Sequence, residues 1–201
     1  MTGHGVDEDK RATLRRFAAL GAATPLTGLL ETGSSTETNV REAILGYLVA
    51  TPGAHFSKVR DDLKLGTGET QHHLRKLVDA AVIESHRDGD YRRFYPANRF
   101  DSFEQVALGY LRRSTPRGMI LALLRTPGLS GSELAATLDV SAPTISKYAS
   151  ELANAGLLAR EDGYTLTQPE TLVVLIVRYA DSFDADTVTF AAEAAELISV
   201  R

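Results

Sequence analysis

Residues 51–88 and 126–163 align without a gap, and seven of their 38 positions are identical: Thr51, Pro52, Gly53, Ser57, Leu63, Leu77 and Ala80. The apolar positions match better than the identities do. Val59 falls on Leu134, Leu63 on Leu138, Leu65 on Val140, Leu77 on Leu152, Val82 on Leu157 and Ile83 on Leu158. A repeat with a 75-residue offset is too long for a solenoid unit, so the chain reads as two copies of one small domain. With 201 residues and 43% hydrophobic residues, it has enough apolar matter for two cores.

Both copies carry the same local signals. An apolar helix, 41–48 or 117–124, ends at Thr-Pro-Gly, because proline cannot continue it and glycine relieves the turn. A second short helix follows, 56–63 or 131–138, then a tight turn at Lys64–Gly66 or Asp139–Ser141. The third helices are expected at 68–80 and 143–155, with Thr67 and Ser141 as caps and Pro143 in the first turn. An apolar pair then enters a strand, and the turn signals Arg87-Asp88-Gly89-Asp90 and Glu161-Asp162-Gly163 complete a hairpin.

Three helices and a two-stranded wing make a winged helix-turn-helix. The fold class is therefore mainly α with small β-hairpin wings: two winged helix-turn-helix domains in tandem plus C-terminal helices. Ser132–Tyr148, Leu152–Leu158, Val59–Leu74 and the wing Ser85–Tyr95 resemble the MarR/ArsR-like winged-helix regulators, particularly tandem-wing proteins of archaea. Five lysines against seventeen arginines fit a salt-loving archaeon, and also any GC-rich genome. The expected segments are 1–38, an N-terminal helix and flexible linker; 39–98, the first winged domain; 99–114, a linker helix; 115–167, the second winged domain; and 168–201, terminal helices for dimerisation or capping.

A recognition helix buries one face and offers the other to the major groove. In copy one, helical spacing turns Thr70, His73 or Leu74, and Leu77 inward. It leaves Thr67, Gly68, Gln71, His72, Arg75 and Lys76 outward. Gln71 suits an adenine edge, and Arg75 suits guanine or a phosphate. Gly68 would let the helix start approach the backbone. Wing 84–95 adds Arg87, Arg92 and Arg93 with Tyr91; strand alternation places Phe94 in the core and Arg93 outside. Copy two offers Ser141, Ala142, Pro143, Thr144, Ser146, Lys147 and Ser150, and its wing has only Arg160 against Glu161 and Asp162. Because phosphate neutralisation supplies much of the binding energy, copy one should be the stronger arm, with Arg92 and Arg93 mattering far more than Lys147.

The net charge of −4 hides an uneven distribution. Residues 41–98 hold nine Lys/Arg against eight Asp/Glu, whereas 181–201 hold one against five; the mildly acidic total argues against a histone-like coat, yet a local basic face could still meet DNA. Arg15-Arg16 before an apolar run resembles an export signal. That run is broken by Pro25 and lacks a cleavage site, so an amphipathic helix near 10–24 is the better reading. Glu31–Thr38 reads as a linker. Thr167–Glu170 has capping-box spacing, Leu172–Val177 is apolar on every side and so expected buried, and 184–199 brings Val188, Ala191, Ala192, Ala195 and Ile198 to one face. There is no cysteine, no phosphate-cradling glycine loop and no nucleophile motif, so an enzyme is not expected. His72 and His73 point about 100° apart on a helix and cannot share an ion, so no metal or cofactor is expected either. The reading is a cytoplasmic, sequence-specific transcription regulator whose partners are double-stranded DNA and a second copy of itself, with no membrane. Its rival is a winged-helix module that docks protein in a chromosome or transcription assembly.

Overall fold

The structure, a computed structural model, describes residues 4–23, 35–160 and 163–199. Pro25, the linker residues 31–34 and the wing residues Glu161 and Asp162 lie outside that range. The chain forms two compact units, 1–101 and 102–201. Each holds a helix-turn-helix with a small antiparallel sheet.

The first unit runs α1 (His4–Ala22), α2 (Ser35–Ala50), β1 (Ala54–His55), α3 (Phe56–Asp62), α4 (Thr67–Asp79), β2 (Ile83–Asp88) and β3 (Tyr91–Pro96). Helix α2 begins at Ser35, inside the stretch expected as linker. Its Val40, Ile44, Leu45 and Leu48 join Val59 of α3, Leu63 at its C-cap, Leu74 and Leu77 of α4, and Val82, Ile83 and Phe94 in one buried core. Val59, Leu63, Leu77, Val82 and Ile83 are among the repeat's shared apolar positions, and burying each large side chain contributes roughly 1.5–3 kcal/mol. Helix α1 is packed on α2 through two glycines. A Cβ on Gly21 would collide with the Glu42 carbonyl, and one on Gly46 with the Phe17 carbonyl, so the backbones meet where no side chain intervenes. Phe17 closes the seam edge-on to Tyr47 at 5.3 Å. Gly46→Ala should therefore push α1 off α2 at a cost of about 1–3 kcal/mol. Urea unfolding, with proteolysis inside α1, measures it; unchanged protection of α1 would contradict the packing.

The second unit contains α5 (Ser102–Leu111), α6 (Ser114–Arg125), α7 (Gly131–Leu138), α8 (Ala142–Asn154), β4 (Leu158–Ala159), β5 (Thr165–Leu166), α9 (Pro169–Tyr179) and α10 (Ala185–Ser199). The repeat is visible in the backbone. Both bounds of α4 and α8 differ by 75, and left-handed residues recur at the same offset: Gly53 and Gly128 (φ 80° and 83°), Lys64 and Asp139 (55° and 51°), Ala81 and Gly156 (54° and 73°). Lys64 and Asp139 end the second helices, where a left-handed residue turns the chain into the third.

The terminal helices depart from expectation in three ways. Thr167 does not cap α9. Its hydroxyl donates to the Gly156 carbonyl, and left-handed Gln168 occupies the cap position. Helix α9 is not buried all round, because Leu172, Leu175, Ile176 and Tyr179 face inward while Val174 is 59% exposed. The unit is too small to cover both sides of it. On α10 the buried face is Thr187, Phe190, Ala191 and Ala194; Val188 and Ala192 are exposed, and the side chains of Ala195 and Ile198 are not among those described. Asp184 sets that phase by accepting from the Thr187 N–H (3.1 Å) and hydroxyl (2.6 Å), and buried Arg117 pairs with the same carboxylate. Arg112 donates to the Ser182 carbonyl (2.7 Å) and stacks 4.3 Å from the Phe183 ring, fixing the turn between α9 and α10 within this unit.

Candidate nucleic-acid interface

Helix α4 carries the densest set of outward polar groups in the first unit. Its amphipathic spacing buries Thr70, His73, Leu74 and Leu77 and leaves Thr67, Gly68, Gln71, His72, Arg75 and Lys76 exposed. Thr67 is not its cap. The helix starts one residue earlier than expected, with Gly66 at the cap position, and the Glu69 carboxylate accepts from the Gly66 N–H at 3.1 Å. The hydroxyl of Thr67 is thereby left outside the capping contacts, facing outward. Nothing lies within 4 Å of where a Gly68 side chain would start, so the first turn is open to close approach.

Thr67, Gln71 and Arg75 stand one turn apart on α4 and face Arg92 of β3 across a concavity of about 580 Å³. Phe56, Leu74, Val78 and Phe94 form its floor, and Asp79 lies at its rim. The helix and the wing thus present their polar groups to one space. Phe94 is in the core, as strand alternation requires.

The wing is a hairpin, β2 with β3, turning at Gly89 with φ 58°. Register places Arg87 directly opposite Arg92, both exposed and on one face. Arg92 donates to the Ser85 hydroxyl at 2.8 Å and lies 5.6 Å from the Phe94 ring. Like charges opposite each other on a sheet repel, which an anion between them relieves. Tyr91 is 49% exposed beside them, its ring 4.9 Å from that of His55.

Arg93 corrects the outward reading. It is 2% exposed, its guanidinium donates to Asp88 and, at 3.0 Å, to the Gly53 carbonyl, and it has no access to a groove. Strand alternation assumed a two-stranded wing with one free face. In the structure β1 adds a third strand, with His55 opposite Arg93, so β3 is central with both edges paired, and Arg93 lies against the Gly53 turn whose carbonyl it bonds. Arg93 is the bolt between the wing and the Thr-Pro-Gly turn.

In the second unit α8 is capped by Ser141, whose hydroxyl accepts from the Thr144 N–H (3.4 Å) and meets the Thr144 hydroxyl (2.8 Å). Ser150 donates to the Ser146 carbonyl, so three of the hydroxyls expected at DNA already have partners in the helix. Ala142, Pro143, Ser146 and Lys147 are exposed; Lys147 lies 3.9 Å from Glu151. Arg160 is turned back onto Ser150 (2.9 Å), and the wing strands are two residues each. This face is open but weakly cationic.

His73 is buried on α4 with its Nδ1 unpartnered, and burial, aided by His72 and Arg41 and opposed by Glu69 and Glu37, lowers its pKa below the ordinary value of 6.5. An unfolded chain therefore takes up that proton before the folded one does. Stability should fall as pH drops through 6.5 toward the folded value, and His73→Leu should flatten the decline. Urea midpoints against pH measure it; identical slopes would contradict it. Among the described residues no group of three His, Asp or Glu could hold a metal, and no helix is long and apolar enough to cross a membrane.

Spacing alone missed Glu69 as a cap partner, although a glutamate three residues after Gly66 is a capping-box signal. Asp88 and Gly53, which hold Arg93, carried no local signal, since one contact crosses 40 residues of chain.

Residues 38–108 match a family model described as an N-terminal helix-turn-helix (HTH) domain, and residues 112–159 match one described as winged helix-turn-helix DNA-binding. An uncharacterized HTH-type transcriptional regulator of Methanocaldococcus jannaschii is 26% identical over 126 residues, which is 62% of this chain and 32% of that protein. The chain thus spans about a third of that relative's length. No solved structure matches it.

Proposed function

We propose that this chain is a sequence-specific transcriptional regulator that binds double-stranded DNA, of the MarR/ArsR-like winged-helix type found in archaea. The observation that carries the reading is the convergence of α4 and the wing on one space, with Thr67, Gln71 and Arg75 on one side and Arg92 on the other. Helix α4 enters the major groove, with Gln71 and Arg75 toward base edges and His72 and Lys76 toward the backbone. Arg87 and Arg92 take a flanking phosphate or the minor groove. The two helix-turn-helix matches and the name of the archaeal relative support the same reading. A protein-docking version would expose apolar residues on α4, whereas the exposed face here is polar and basic.

The second unit contributes less. Ser146 and Lys147 give it a weak contact, and its terminal helices cap it. A palindromic site requires two readers, and Val174 (59% exposed) and Val188 (42%) on α9 and α10 are where a second copy would gain burial. Reading chromosomal DNA places the protein in the cytoplasm and gives it no catalytic task. The test is selection of duplexes from a random pool by the purified protein. Enrichment of one motif, bound at least about tenfold more tightly than its scrambled version, supports the reading. A pool that stays random overturns it.

A further inference from the structure

The function proposed above leaves α1 without a task, yet α1 makes two charged contacts with the DNA-reading elements. Lys10 bonds the Glu69 carboxylate at 3.0 and 3.3 Å, and Asp9 pairs with Lys64 in the turn before α4. Both pairs cross more than fifty residues of chain, so they exist only because the Gly21–Gly46 seam holds α1 in place.

Glu69 is an awkward residue for a DNA reader. It caps its own helix by accepting the Gly66 N–H at 3.1 Å, which places a carboxylate in the first turn. That turn is the end of a recognition helix that goes deepest toward the duplex. An uncompensated negative charge there would repel phosphate, and the repulsion would extend over a Debye length of roughly 10 Å at ordinary salt. Lys10 bonds both oxygens of the carboxylate, and the pair is about one-third exposed, with side-chain exposures of 28% and 33%. Burial by itself would raise the pKa of Glu69; the Gly66 N–H and Lys10 bring it below the ordinary carboxylate value, so the group is charged when DNA arrives.

Resting on the DNA-binding reading, we propose that Lys10 is a positioning residue for DNA recognition: it neutralises and orients Glu69, so that α4 keeps its cap without presenting a bare carboxylate to the duplex. Lys10 itself need touch no phosphate. The experiment measures affinity for a duplex selected from a random pool by the full-length protein, across a salt series, for Lys10→Met, Glu69→Gln, the double variant and Arg92→Ala. Glutamine at that position still accepts the Gly66 N–H while removing the charge.

Lys10→Met should weaken binding by about three- to tenfold at low salt, with the loss shrinking as salt rises. Glu69→Gln should bind at least as well as wild type. The double variant should recover to within about twofold of Glu69→Gln, because the only harm in losing Lys10 is the bare carboxylate. A double variant as weak as Lys10→Met would mean that Lys10 acts as a mere brace or a direct phosphate contact, and would overturn the proposal. So would an unaffected Lys10→Met. Equal urea midpoints for the four variants and wild type keep folding out of the comparison; if Lys10→Met unfolds, Lys10→Arg, which retains the charge, must bind like wild type. The wider reading fails separately, when no duplex is selected or Arg92→Ala binds as wild type does.

Discussion

Replacing Arg93 with methionine should lower the unfolding free energy of the first unit by about 3 kcal/mol or more, whereas Arg92→Ala, one residue away, should change it by less than about 0.5 kcal/mol. The two arginines differ in surroundings and not in chemistry. Arg93 is 2% exposed and serves the Asp88 carboxylate, which is itself 13% exposed, and the Gly53 carbonyl. Methionine fills much of the space but takes a guanidinium away from the largely buried Asp88 carboxylate and from the Gly53 carbonyl, and losing those two charge-assisted bonds is the source of the cost. Arg92 has one hydroxyl partner and otherwise faces solvent, where an arginine contributes little to stability. Urea unfolding followed by helical circular dichroism reads both. Equal losses would mean that the wing is not bolted to the Thr-Pro-Gly turn.

The converse holds for binding. Arg87→Ala with Arg92→Ala should leave folding intact and weaken binding to a selected duplex by roughly 100-fold at low salt, reducing the salt slope by about two. Two counterions fewer are released because two guanidiniums from one rung of the hairpin no longer meet phosphate. Removing them also relieves their mutual repulsion, so the unbound protein should be no less stable than before. Lys147→Ala should cost no more than about threefold, since the hydroxyls of Ser141, Thr144 and Ser150 and the Arg160 guanidinium already have partners within the second unit. Anisotropy titrations at several salt concentrations separate these outcomes. A Lys147 effect equal to that of the wing pair would reverse the assignment of the stronger arm.

Much of this architecture is legible in the sequence because it is local. Helix periods, Thr-Pro-Gly stops, Pro143 and the paired apolar positions all act within a turn or two, and they locate α3, α4, α7 and α8 closely. The outward face of α4 follows from the same period. What escaped is non-local. Arg93 reads as a surface wing residue until β1 is known to pair with β3, and that pairing joins residues about forty apart. Thr67 reads as a cap because hydroxyls usually are, but the helix starts from Gly66, whose own N–H is taken by the Glu69 carboxylate. The face of α10 is shifted because Phe190 and the Asp184 cap outweigh the small alanines that define the simple stripe. Helix α1 shows the same limit: its own residues give an amphipathic helix, and only the glycine seam with α2 shows what it packs against.

The most direct test of the DNA-reading account is to sequence the genomic DNA that co-purifies with the protein from its native cells, beside the Arg87→Ala/Arg92→Ala variant. The account predicts a small set of sharp peaks that share an inverted repeat and vanish in the variant, whose fold is unchanged. Diffuse enrichment, or peaks that persist without the two wing arginines, would contradict it and turn attention to a protein partner for the same winged surface.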